Sequence, residues 1–272
     1  KGPRVFVERI DIEGNAATLD RVVRKQFRTV EGAPFNPREI RRTAERIRAL
    51  GFFANAEVNA REGSAPDQVI VDVDVEEQPT GNLSFGATYN TESGIAFSAS
   101  FSERNFLGRG QRIAFGVAAA SDTTNYSFSF AEPSLFGRDL EAGVTLSFNE
   151  SSSFNSKFDT ARGLFSPYVS FPVSENGRLR LRGFAEFNEL SNVDEGDGAG
   201  DTGSSFILRE EEGSDTDFGL GYVYTYDTRR SGLNPTAGVV LRFSQSFAGG
   251  SYRQYVETTF LAGAQRQILN EE

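Results

Sequence analysis

The chain has 272 residues and a formal net charge of -10, with 25 Phe and 28 Gly but no Cys, Met, Trp or His. Those absences remove thiol and disulfide chemistry, Cys/His zinc sites and histidine acid–base catalysis together. The acidic balance speaks against a nucleic-acid partner, whose footprint would be a basic patch. Mean hydropathy is -0.39, and no stretch approaches the roughly 18 apolar residues of a transmembrane helix. Without an initiator methionine, the chain is expected to be a fragment or a processed product.

In chain order, Arg4 to Ile12 alternates as a strand and ends at the turn Glu13-Gly14-Asn15. Thr18 stands where a helix N-cap would, ahead of Leu19, Val22, Val23 and Phe27 at helical spacing, with Pro34 and Pro37 breaking that helix. Asn36 can cap a second helix with Pro37 at its first position. Ile40, Ala44, Ile47 and Leu50 make its buried stripe and Gly51 its stop. Alternating runs at Ala56–Ala60 and Val69–Val75 complete a β-α-α-β-β order.

That order resembles a POTRA domain, through Ile12-Glu13-Gly14-Asn15, Leu50-Gly51-Phe52-Phe53 and Pro66-Asp67-Gln68-Val69. The resemblance is closest to the last POTRA of the BamA family, the unit that abuts a barrel. It implies a periplasmic POTRA domain over residues 1–79.

From about Gly81 the period becomes two. Leu83, Phe85, Ala87 and Tyr89 alternate with Asn82, Ser84, Gly86 and Thr88, and the pattern recurs through Ile95–Phe101, Ile113–Ala119, Tyr126–Phe130, Leu140–Phe148 and onward to Val256–Ala262. About ten strands follow from this spacing. The opposite face carries small polar groups and the charges Arg178, Arg180, Arg182, Glu186 and Glu257. Alternation alone fits a soluble sandwich as well as a barrel. Connections favour the barrel: every second one is a turn with Gly or Pro, as at Asn105–Gly110, Pro133–Gly137, Pro172–Gly177 and Arg229–Gly238, while the other set includes Glu150–Lys157 and Ser191–Ser214.

The BamA resemblance extends here through Arg104-Asn105-Phe106-Leu107-Gly108, Glu132-Pro133-Ser134-Leu135-Phe136-Gly137, Tyr226-Asp227-Thr228-Arg229 and Asn234-Pro235-Thr236-Ala237-Gly238. It implies that residues 80–272 are the N-terminal, incomplete portion of an antiparallel transmembrane β-barrel that the family builds with sixteen strands. The family's Val-Arg-Gly-Phe-like loop motif and closing strand are not found. The expected fold class is therefore an α+β POTRA domain followed by an incomplete barrel, in the Gram-negative outer membrane.

The implied function is insertion of client β-barrels into that membrane, with the bilayer, assembly lipoproteins and unfolded barrel clients as partners, and with neither catalysis nor a cofactor. The first barrel strand, Gly81, Asn82, Leu83, Ser84, Phe85, Gly86, Ala87, Thr88 and Tyr89, would lie at the barrel seam, a lateral gate whose opening exposes backbone groups to a client strand. Arg24 and Glu31 match family positions that meet a partner lipoprotein, and ordinary helix-end charges are the plain alternative. The rival functions are a TamA-like or two-partner secretion transporter, a passive porin, or a soluble β-rich binding module. The acidic tract Asp194–Asp201 could ligate calcium, and Glu210, Glu211 and Glu212 with Asp215 and Asp217 could pair as catalytic carboxylates; solvated loops explain both. Arg229 and Arg230 beside Asp227 read as local salt bridging, and Tyr89, Phe101, Phe130 and Phe148 as interfacial aromatics.

Overall fold

The computed structural model describes residues 4–91, 94–152, 157–196, 203–229, 237–250 and 254–266. They form two compact units, Lys1–Gly81 with Glu103–Gln111, and Asn82–Ser102 with Arg112–Glu272.

In the first unit β1 (Phe6–Glu13), α1 (Asp20–Arg24), α2 (Pro37–Ala49), β2 (Phe53–Glu62) and β3 (Gln68–Glu77) follow the expected order. The sheet order is β1-β3-β2, with β1 parallel and β2 antiparallel to the central β3. Asn36 caps α2 by accepting from the Arg38 N–H at 3.0 Å, and Pro37 opens the helix, where its missing N–H costs nothing. The stripe Ile40, Thr43, Ala44 and Ile47 is buried. Thr43 satisfies its hydroxyl on the Glu39 carbonyl at 2.9 Å. Ile40 and Ile47 join Val7, Ile10, Val23, Val71 and Val73 in one core.

Two expectations fail here. The helix α1 has only five residues and stops at Arg24, and Leu19 rather than Thr18 is its N-cap, with no side-chain cap bond. The chain then lies along the outer edge of β1: Val7 N–H donates to the Ala33 carbonyl, Gly32 N–H to the Val7 carbonyl and Phe35 N–H to the Val5 carbonyl, at 2.9, 2.7 and 2.8 Å. These bonds blunt an edge that would otherwise be open to pairing.

The second unit carries most of a ten-stranded sheet in strictly sequential order, from β4 (Gly81–Asn90) through β5 (Gly94–Phe106), β6 (Gln111–Ala119), β7 (Thr123–Glu132), β8 (Glu141–Ser151), β9 (Asp159–Pro172), β10 (Gly177–Ser191), β11 (Gly213–Asp227) and β12 (Ala237–Gly249) to β13 (Gln254–Arg266). Among the described residues the edge strands β4 and β13 do not pair with one another, so the sheet they form is open. Register places Phe115, Phe128, Leu146, Phe165, Ala185 and Phe218 in one row on one face. On the other face, Arg112, Ala131, Gly143, Tyr168, Arg182, Gly221, Ser246 and Glu257 form a row.

Burial is inverted relative to a water-soluble sandwich. Phe85, Phe218 and Phe260 are 77%, 64% and 67% exposed, while Ser170, Asp217 and Ser246 on the polar face are buried. Apolar groups point outward and polar groups are enclosed, the arrangement of a wall in lipid.

The turns repeat a motif. Leu107-Gly108 and Phe136-Gly137 each place two successive residues at positive φ, 54° and 67°, then 55° and 72°. Each is closed by an arginine N–H, Arg109 to the Phe106 carbonyl at 3.2 Å and Arg138 to the Leu135 carbonyl at 3.1 Å. Positive φ at both central residues is the mirror-type pattern, set here within connections of residues 107–110 and 133–140.

Two further corrections concern connections. Residues 120–122 join β6 to β7 in fewer residues than 133–140 join β7 to β8, so loop length does not separate the two ends of the sheet uniformly; the segment 192–212 carries the asymmetry. That segment also holds a helix, α3 (Phe206–Glu210), capped by Ser205. Ile47→Ala should destabilise the first unit by about 2–5 kcal/mol through a cavity beneath α2, read as a lowered urea midpoint by circular dichroism; an unchanged midpoint would count against this core.

Candidate functional site

The edge strand β4 is exposed along its whole length, Gly81 to Asn90, and β5 is its one neighbour in the sheet. Among the described residues, one side of its backbone from Gly81 to Tyr89, with N–H and C=O groups alternating outward, thus faces no neighbouring strand. An added Cβ on Gly86 would approach Ser98 Oγ to 2.6 Å, so the serine side chain would have to shift to admit one. Just ahead of β4, the Thr80 hydroxyl meets the Glu103 carboxylate, which also accepts the Asn105 N–H at 2.7 Å. The start of the strand is anchored while its length is open.

Within the first unit, the β5–β6 turn interlocks with the segment between β1 and α1. Asn105 donates its side-chain amide to Thr18 Oγ1 at 2.8 Å and accepts the Gly110 N–H at 2.8 Å. Leu19 N–H, at the N-cap of α1, donates to the Gly108 carbonyl at 2.9 Å. A Cβ on Gly108 would stand 1.9 Å from the Ala17 carbonyl oxygen, so only glycine permits this approach. From β3, Glu77 accepts the Ala17 and Thr18 N–H groups at 2.9 and 2.6 Å. Thr18 is thus held by Asn105 and Glu77, which is why it does not cap α1. Burial pushes the Glu77 carboxyl up, but hydrogen bonds from the Thr18 side chain and the two backbone amides outweigh it and hold the group below its ordinary 4.5.

Arg24 and Glu31 are brought together. Arg24 Nη1 lies 3.2 Å from Glu31 Oε1, Arg24 Nη2 donates to the Ile10 carbonyl at 2.9 Å, and Glu31 accepts the Ile10 N–H at 3.0 Å. The pair caps both backbone groups of one residue on the outer edge of β1, and both side chains remain about half exposed.

The polar face carries ion pairs along its rows. Glu141 pairs with Arg112 at 2.8 Å and Arg180 at 3.5 Å and accepts the Tyr168 hydroxyl at 2.9 Å. Arg162 meets Glu186 at 2.8 Å, and Arg178 meets Asp139 at 3.2 Å. Tyr168 and Phe184 lie over Gly143 and Gly219, where a Cβ would come within 2.6 and 2.1 Å of ring carbons. Asp217, expected in a solvated loop, is instead 3% exposed within β11, because its alternate position puts it on the enclosed face; Asp215 also lies in β11. Asp227 and Arg229 pair locally at 2.5 Å, as expected, and Arg230 lies outside the described residues. Among the described residues no acidic group of three or more is placed to hold a metal. Asp194 engages Lys157 and the Gly196 N–H, and residues 197–201 of the acidic tract lie outside the described residues.

Comparison with known proteins accords with this architecture. The Omp85 superfamily domain matches residues 105–270, and a POTRA model, described as a surface antigen variable number repeat, matches residues 5–78. The chain belongs to the Omp85 superfamily. It is 29% identical over 277 residues to the outer membrane protein assembly factor BamA of Neisseria meningitidis serogroup B, covering 95% of this chain and 34% of that protein. The crystal structure of BamA from Haemophilus ducreyi lacking POTRA domains 1–3 superposes with a TM-score of 0.68 at 23% identity, covering 95% of this chain and 52% of that one. CdiB from Escherichia coli gives a TM-score of 0.62 at 14% identity, covering 98% and 52%, a likeness of fold. The chain spans about a third of the length of the curated relatives it matches.

The Asn105–Gly108 motif that carried the family resemblance belongs to this interlock, and Asn15 of the Ile12–Asn15 motif adjoins it by donating its side-chain amide to the Thr18 carbonyl at 2.9 Å. Sequence reading missed Glu77 and the clamp of Arg24 and Glu31; the one available signal was an acidic residue closing an otherwise valine-rich strand. Gly108→Ala should open the interlock, read as faster hydrogen exchange at the Leu19 amide, and unchanged protection would contradict it. The Glu77 contribution should be complete above pH 4.5 and fade as pH falls through its lowered folded value. Glu77→Ala should cost about 1–2 kcal/mol at pH 7 and flatten the acid limb of the unfolding curve; an identical pH profile would refute this role.

Proposed function

We propose that the chain is the membrane-proximal part of an outer-membrane protein assembly factor, which folds client β-barrels into the bilayer by offering the unpaired edge of β4 to an arriving strand. Residues 1–79 are its POTRA domain, on the periplasmic side, and residues 80–272 part of its barrel. The observation that carries this reading is an edge strand exposed over its whole length in a wall whose apolar face looks outward. The named activity of the assembly-factor relatives, such as the Neisseria protein, supports it. Membership of the β5–β6 turn in the same compact unit as the β-α-α-β-β domain supports the periplasmic assignment of the turn end.

Catalysis by bond chemistry and a cofactor have no part in this mechanism. Water is absent from the hydrocarbon core, so an unpaired strand there carries a cost of several kcal/mol per polar group, and pairing with a client strand relieves that cost. The edge accelerates insertion because it supplies hydrogen bonds the bilayer cannot. Cysteines placed singly along Asn82 to Tyr89 should form disulfides with cysteines in the last strand of a client barrel during assembly, in a register that alternates along the strand. Absence of such bonds in actively assembling membranes would reject the reading.

Arg24 and Glu31 are proposed to present a docking surface to an assembly lipoprotein through their exposed charges. Glu31→Gln retains an acceptor for the Ile10 N–H and removes the charge. Recovery of the lipoprotein with the protein should therefore fall for both Glu31→Gln and Glu31→Lys; full recovery with Glu31→Gln would leave the pair only its clamp on β1.

A further inference from the structure

The glycines of the large sheet divide into two sets. On the polar face Gly143 and Gly219 are required, since a Cβ at either would enter an aromatic ring. On the apolar face Gly163 and Gly183 are not: a Cβ at Gly163 would meet only Phe187 Cβ at 3.7 Å and Phe148 Cδ2 at 3.9 Å, and one at Gly183 only Leu220 Cδ2, Pro167 Cγ and the Gly219 carbonyl oxygen at 3.7 to 4.0 Å. Those are ordinary contacts, and neither glycine has a positive φ. Among the described residues nothing calls for a missing side chain at either place. What the two glycines create is space.

That space is shaped. Gly163 and Ala185 form the floor of an almost wholly apolar groove of about 410 Å³, walled by Phe148, Phe165 and Phe187. A neighbouring groove of about 510 Å³ has Gly183 between Pro167, Leu181, Leu220 and Phe247. Both are continuous with the outward apolar face. The first reaches from Phe115 on β6 to Thr216 on β11, five strand spacings or about 24 Å, against about 15 Å for half of a bilayer's hydrocarbon core, which a path running obliquely to the membrane normal would cross. A single acyl chain lying obliquely fits that length.

We infer that the Gly163 groove is a seat for one acyl chain of a bilayer lipid, held longer than lipid elsewhere on the same face. The inference rests on the reading of the apolar face as the bilayer face. An extended hydrocarbon chain matches the groove in chemistry, since the aromatic walls offer dispersion contacts and the floor offers no polar partner to satisfy.

The chain has no Trp, so one introduced indole reports from a single place. The full chain carrying Phe165→Trp, in the groove wall, is compared with one carrying Phe218→Trp, which lies in the same cross-strand row through Ala185 and outside the groove. Both are reconstituted in phosphatidylcholine vesicles containing a mid-chain dibrominated phosphatidylcholine. The seat predicts several-fold stronger quenching at Phe165→Trp, falling to the Phe218→Trp value when Gly163→Leu fills the groove, with Gly163→Ala as the milder variant. Equal quenching at both positions overturns the seat and leaves the bilayer reading intact. No quenching at either position overturns the bilayer reading itself.

Discussion

Every strand of the large sheet depends on lateral hydrogen bonding, because a wall in hydrocarbon has no water to satisfy its backbone. That constraint explains the sequential strand order and the two-residue period that sorts side chains by face. It also makes β4 consequential. Among the described residues one row of its backbone groups faces no neighbouring strand, as does one row of β13 at the other end of the sheet. By contrast, the exposed edge of β1 in the first unit is covered three ways, by residues 32–35, by Arg24 and by Glu31. One edge is closed with care and another is left open.

The interlock of Asn105, Thr18, Gly108 and Glu77 shows how the β5–β6 turn is made part of the smaller unit. Each contact is modest, on the order of 1 kcal/mol. Their value is geometric: the Ala17 and Thr18 amides, the Thr18 hydroxyl and the Leu19 amide are each assigned a partner, so the segment between β1 and α1 has one conformation. Gly14 adds to this, since its φ of 90° and a Cβ position 1.8 Å from the Val75 carbonyl oxygen admit no side chain.

Periodic features were legible in the amino-acid sequence. Asn36-Pro37 and the stripe from Ile40 to Ile47 specify α2 through local rules, and alternation specifies ten strands because one face must be apolar and the other not. Non-local bonds were not legible. Thr18 looked like a helix cap until Asn105, 87 residues away, claimed its hydroxyl, and nothing local to Arg24 and Glu31 signals that both reach the backbone of Ile10. Asp217 looked solvated because acidic residues usually are; only strand register puts it on the enclosed face. Gly163 and Gly143 look alike in sequence, and the difference between them lies in whether Tyr168 or empty space stands above the backbone.

The two mirror-type turns carry a consequence for assembly. Leu107 and Phe136 each accept a left-handed backbone that costs a non-glycine residue about 1–2 kcal/mol, where asparagine would adopt it more readily. In return the hairpin is twisted in the sense that strands already prefer. At these two connections the sense of the turn thus agrees with the right-handed twist of the strands, a local bias toward a curved over a flat sheet.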